Sequence, residues 1–192
     1  MTTQASRRYS IIAIILHWII AALILANIGL AWWFGSLHGA ARSAPIQLHK
    51  SFGITVLALT VLRIGWRLAN PPSPMPAGVR GWERQLARLT HALFYVVMIA
   101  MPLSGWIFTS AATPLRPTML YGAVPLPVIE AVRHGGPART KQVHDLFAGG
   151  HGALAKLAYL LIVLHVGGAL RHLLLLRDGV VGRMVPFLKA PA

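Results

Sequence analysis

Four apolar stretches alternate along the chain with segments rich in arginine, proline and glycine. They run at about Ile11–Phe34, His49–Leu68, Leu89–Ala111 and His151–Leu176. Each reaches the roughly 20 residues that a helix needs to cross hydrocarbon. The pattern predicts an all-α, integral membrane four-helix bundle, one unit over residues 1–192 with no internal repeat. The first stretch follows a pair of arginines, as a signal peptide does, but it is too long for a signal core and carries no clear cleavage site, so it is read as a retained span. A proline-rich turn and a short amphipathic run, "ANPPSPMPAGVRGWERQLAR", separate spans two and three. About forty residues of proline, glycine and scattered charge form the longest loop, before span four.

Composition agrees with lipid as the solvent. Of 192 residues, 56% are hydrophobic and 11% charged, less than half the charged share of an ordinary soluble domain. Four carboxylates cannot solvate a surface of this size. The absence of cysteine excludes disulfides, iron–sulfur clusters and thiolate chemistry. A net charge of +14 raises nucleic acid as a partner, yet the arginines flank apolar runs instead of forming a basic tract. Their distribution speaks to topology. The N-terminus, the end of span two with its loop, and the end of span four hold eleven: Arg7, Arg8, Arg63, Arg67, Arg80, Arg84, Arg88, Arg171, Arg177, Arg183 and Lys189. The other side holds six, Arg42, Lys50, Arg116, Arg133, Arg139 and Lys141, with Lys156 inside a span. Both termini are therefore expected in the cytoplasm.

Histidines inside the spans carry the chemistry. A ring in a hydrophobic run is costly unless its nitrogens are satisfied. His151 and His165 are fourteen residues apart, which puts them on one helical face about 21 Å apart along the axis. With the topology above, His49 shares the outer level with His151, and His17 shares the inner level with His165. Paired imidazoles from facing helices, with neither cysteine nor carboxylate beside them, suit six-coordinate haem iron. The expected fold is a bundle enclosing two haems. Gly53, Gly150, Gly152, Gly167 and Gly168 would let a macrocycle approach. Met98 and Met101 are core packing on this reading, Pro102 kinks span three, and Trp18, Trp32, Trp33, Trp66 and Trp106 fall mostly in interfacial belts.

The stretches "ILHWIIA", "LHKSFGI", "LRIGWRLANPPSP", "LTHALFYVVMIAMPLSGW", "GGHGALAKLAYLLIVLHVGGALRH" and "DGVVGRMVP" resemble the bacterial cytochrome b561 family over nearly the whole chain, least in the loop before span four. The resemblance implies two b-type haems and exchange of electrons with the ubiquinone pool at the inner membrane. It also implies His17 with His165, and His49 with His151, as axial ligands, the same pairs as depth gives. Lys156 departs from the small or neutral residue expected there.

No catalytic residue is assigned; the expected chemistry is quinone-linked electron transfer. Arg63, Arg67 and Arg171 at the inner level, and Lys50 and Lys156 at the outer, are candidate partners for haem propionates or plain topology-setting charges. Lys156 must snorkel or find an anion. His91 and His172 are candidates for a quinone headgroup and its protons, or simply bond haem propionates or interfacial water. His38, His134 and His144 fall in outer loops with no role. The electron donor at the outer face is a small anion such as superoxide or a partner protein. A haem-bearing anchor for a larger dehydrogenase or hydrogenase is the alternative, and pairing of two copies stays open. A histidine-lined metal-ion transporter is disfavoured, because the spans hold no acidic residue.

Overall fold

A computed structural model describes residues 8–71, 79–115 and 117–188. Arg7, Arg116 and Lys189, counted for topology above, and most of the proline-rich turn lie outside the described residues. Four long helices make the bundle: α1 (Ile11–Ser36), α2 (Ser43–Ala69), α3 (Gly81–Ser110) and α4 (Gly136–Leu170). A short 3-10 turn, Gly39–Arg42, leads into α2. α1 packs along α2, α2 meets α3, and α3 lies along α4. Each of the four is long and apolar enough to cross a membrane.

Their surfaces reverse the order of a soluble protein. Ser51, Thr60, Thr90 and Ser104 are buried, while Leu25, Leu62 and Val163 are exposed. Exposed aliphatic faces on this scale are stable only against lipid. Small hydroxyl residues at helix seams let backbones come close, as membrane packing requires where apolar burial between helices gains little. The main apolar cluster, Val97, Ala158 and Leu161 with Leu93, Phe94 and Met101 around it, seals α3 to α4.

α2, α3 and α4 begin earlier than the apolar pattern predicts. The amphipathic run before span three is the first two turns of α3. Glu83, third residue of that helix, accepts the Arg80 backbone N–H at 3.3 Å, a capping interaction. α4 starts fifteen residues before His151, so the forty-residue loop is a correction: its last fifteen residues are helix. Gly135 and Gly136 supply positive φ, Pro137 fits the first helical turn, and Lys141 pairs with Asp145 one turn on. His144, expected in a loop, therefore sits on α4 beside Asp145.

The rest of that connection is a capped structure. Strands β1 (Thr118–Leu120) and β2 (Val124–Leu126) form an antiparallel hairpin. Tyr121 and Gly122 at its turn both have positive φ, the conformation a tight hairpin turn demands. One stripe of α2 holds the hairpin. Gln47 donates to Pro117 O at 2.9 Å and accepts from Met119 N, Ser51 Oγ accepts from Tyr121 N at 2.9 Å, and Thr55 meets the Tyr121 hydroxyl at 2.7 Å. Arg133 closes α3 by donating to the carbonyls of Ser110 and Ala112. The opposite end carries the first and last described residues: Arg8 donates to Leu188 O at 2.9 Å and Tyr9 N to Arg183 O at 3.2 Å. These are called the hairpin end and the termini end below.

Candidate functional site: two facing imidazole pairs

The depth argument paired histidines by arithmetic; the structure brings the same rings together. His17 on α1 faces His165 on α4, with centroids 6.1 Å apart. His49 on α2 faces His151 on α4, 6.3 Å apart. The first pair lies toward the termini end and the second toward the hairpin end. Fourteen residues of α4 separate them, about 21 Å of rise. α4 meets α1 and α2 through such rings, Trp32 against Tyr159 being another.

The separation has a chemical meaning. With metal–nitrogen bonds of about 2 Å and about 1.1 Å from each nitrogen to its ring centre, two imidazoles on opposite sides of one metal ion have centroids about 6.2 Å apart. Both pairs sit at that spacing. Among the described residues no three His, Cys, Asp or Glu side chains converge on a metal position. Two donors and no third suit a metal that arrives with four nitrogens of its own, as a porphyrin iron does. The donor set fits haem.

The two pairs are held differently. At the hairpin end, hydrogen bonds orient the rings. His49 Nδ1 lies 3.1 Å from Asn27 O, and His151 Nδ1 lies 3.0 Å from Met101 O and 3.2 Å from Ser104 Oγ. With Nδ1–H donating to a carbonyl, the lone pair falls on Nε2, the tautomer a metal ligand needs. Phe34 packs edge-on to His49 and Phe108 to His151, at 5.3 and 5.5 Å. Gly105 lies against the ring: a β-carbon there would sit in van der Waals contact, 3.4 Å from His151 Cε1 and 3.5 Å from Nδ1, leaving no space for a larger side chain. At the termini end, rings do the work. Trp18 stands edge-on to His17 at 5.2 Å, while His91 and Phe94 stand edge-on to His165 at 5.2 and 5.6 Å.

The remaining candidates divide. His91 touches His165, and its Nδ1 is 2.6 Å from Ala87 O. Arg63 reaches the Tyr95 hydroxyl and Ala13 O, both at 3.4 Å, beside the same pair. Arg171 already has a carboxylate: its guanidinium is 2.6 Å from Glu83 Oε1. His172 lies in a π-turn, Arg171–Leu176, and its Nδ1 is 2.6 Å from Asp178 Oδ2. Lys50 donates to Thr118 Oγ1 at 3.1 Å, and Lys156 is exposed on α4. Asn27, Ser104, Gly105, Trp18, Glu83 and Asp178 were missed from sequence. Glu83, an acid close to an apolar span, was the one with a signal.

The family model for prokaryotic cytochrome b561 matches residues 8–187. "Cytochrome b561 homolog 2" of Escherichia coli (strain K12) is 30% identical over 188 residues, covering 95% of this chain and 94% of the relative. "Probable superoxide oxidase CybB" of Yersinia pestis is 29% identical over 191 residues, 94% of this chain and 97% of that protein. "Cytochrome b561 homolog 1" of the same E. coli strain is 27% identical over 186 residues, 93% of this chain and 97% of the relative. The matched span takes in all four helices and both ring pairs, so this chain belongs to the prokaryotic cytochrome b561 family, bacterial transmembrane electron-transfer proteins that bind b-type haem.

Proposed function

We propose that the chain is a di-haem cytochrome, one continuous domain, that carries electrons between a reductant at the hairpin end and ubiquinone at the termini end. The observation that carries this reading is the pair of facing imidazole couples at 6.1 and 6.3 Å. His17 and His165 hold one haem and His49 and His151 the other. Haem held by these pairs would supply one-electron redox chemistry. The residues around the pairs fix geometry: the carbonyls of Asn27 and Met101 set the tautomer at the hairpin end, and Phe94 wedges His165 at the other.

Arg63 and Arg67 are the propionate partners at the termini end, with Lys50 and Lys156 serving at the hairpin end. Arg171, committed to Glu83, acts through that pair. His91 and His172 border the quinone position, and imidazole is the side chain suited to moving its protons. The eleven-to-six split of basic residues supports cytoplasmic termini in the inner membrane. The net charge of +14 favours an anionic reductant, and superoxide is the one suggested by the printed name of the Yersinia relative.

Haemochrome quantitation of purified protein tests the reading and should return two b haems per chain. His165→Ala should lose one and keep the other. Stopped-flow mixing with superoxide should reduce the haem bands; unchanged bands would remove superoxide as donor.

A further inference from the structure

The segment after the π-turn folds back over the start of α1, and one of its carbonyls holds the ring that stands beside His17. Arg177 adopts a left-handed conformation, φ 50°, that a non-glycine residue takes only at a cost. That turn delivers Asp178 to His172, while its second oxygen accepts from Val180 N at 3.1 Å. Beyond it Arg183 is buried at 3% exposure, its guanidinium 5.1 Å over the Tyr9 ring and its carbonyl bonded to Tyr9 N. Arg8 donates to Leu188 O at 2.9 Å. Between these anchors the Trp18 indole N–H donates to Met184 O at 3.0 Å. Trp18 is also the ring standing edge-on to His17.

We infer that residues Asp178–Leu188 form a clasp that orients His17 through Trp18, making Trp18 a positioning residue for the termini-end haem. This rests on the reading of His17 as a ligand. The hairpin-end rings have carbonyl partners that fix them; the ring of His17 is steered by its neighbour, and the clasp holds that neighbour in place. The clasp therefore governs one haem and leaves the other alone.

Trp18→Phe keeps an aromatic ring and removes the N–H. In holoprotein it should keep two haems, shift the largest g value of one low-spin ferric signal, and shift one of two midpoint potentials. His17→Ala identifies which signal belongs to that site. Tyr9→Leu, which removes the seat of Arg183, should cause the same one-sided shift in smaller measure. Unchanged signals in both variants overturn the clasp, and so do equal shifts at both sites, which mean general loosening. Retention of both haems by His17→Ala overturns the ligand assignment itself and is read separately.

Discussion

At the scale of single residues, a ligand ring is only as well placed as the groups behind it. His151 on α4 lies against Gly105 of α3, where there is room for a β-carbon and little more. Gly105→Ala puts a methyl in ordinary contact with the ring, and two haems should remain. Gly105→Leu forces the ring away, and haemochrome content should fall to one per chain, with the termini-end signal intact. Ser104→Ala is gentler, because Met101 O still accepts from His151 Nδ1; both haems should stay, with stability lowered by about 0.5–1.5 kcal/mol. The four facing histidines were legible because a polar ring in an apolar run needs a reason. Their supports were not. Asn27 and Met101 act through backbone carbonyls, which every residue has, and Gly105 is one of eighteen glycines.

At the scale of elements, hydropathy located the spans but not the helices. The apolar window ends where lipid ends, whereas α3 and α4 continue into the aqueous layer on amphipathic turns. α4 was cut short because its first turns follow two glycines and a proline and carry Arg139, Lys141 and Asp145. The π-turn and the left-handed Arg177 have no sequence signature. One ion pair shows what the extensions do: Glu83, 8% exposed, caps α3 with one oxygen and binds Arg171 with the other, tying the start of α3 to the end of α4. Glu83→Gln loses the charge from both interactions. It should cost about 1–3 kcal/mol, seen as a lower Tm for haem release in detergent. At the other end Gln47 holds the hairpin by both amide atoms. Gln47→Leu should raise amide exchange across residues 117–126 while both haems remain.

At the scale of the molecule, the two ring pairs and the charge of the chain bear on how electrons enter. Polar hydroxyls are buried and aliphatic side chains are exposed, and on the proposed function electrons cross through the ring pairs on α4. A chain of net charge +14 with four carboxylates surrounds itself with a positive potential. At low ionic strength that potential concentrates an anionic reductant near the protein, and the effect fades as the screening length falls from about 30 Å at 0.01 M to about 8 Å at 0.15 M. Reduction of the haem bands by an anionic one-electron donor should slow several-fold over that range, whereas a neutral donor of similar potential should show no such dependence. Two donors are needed because salt also changes detergent packing, which would slow both alike. A salt effect confined to the anion would assign the attraction to the protein's field. Equal rates for both donors at every salt concentration would mean that electrons enter at a point shielded from the arginines, and an uncharged or protein donor would then be the one to seek.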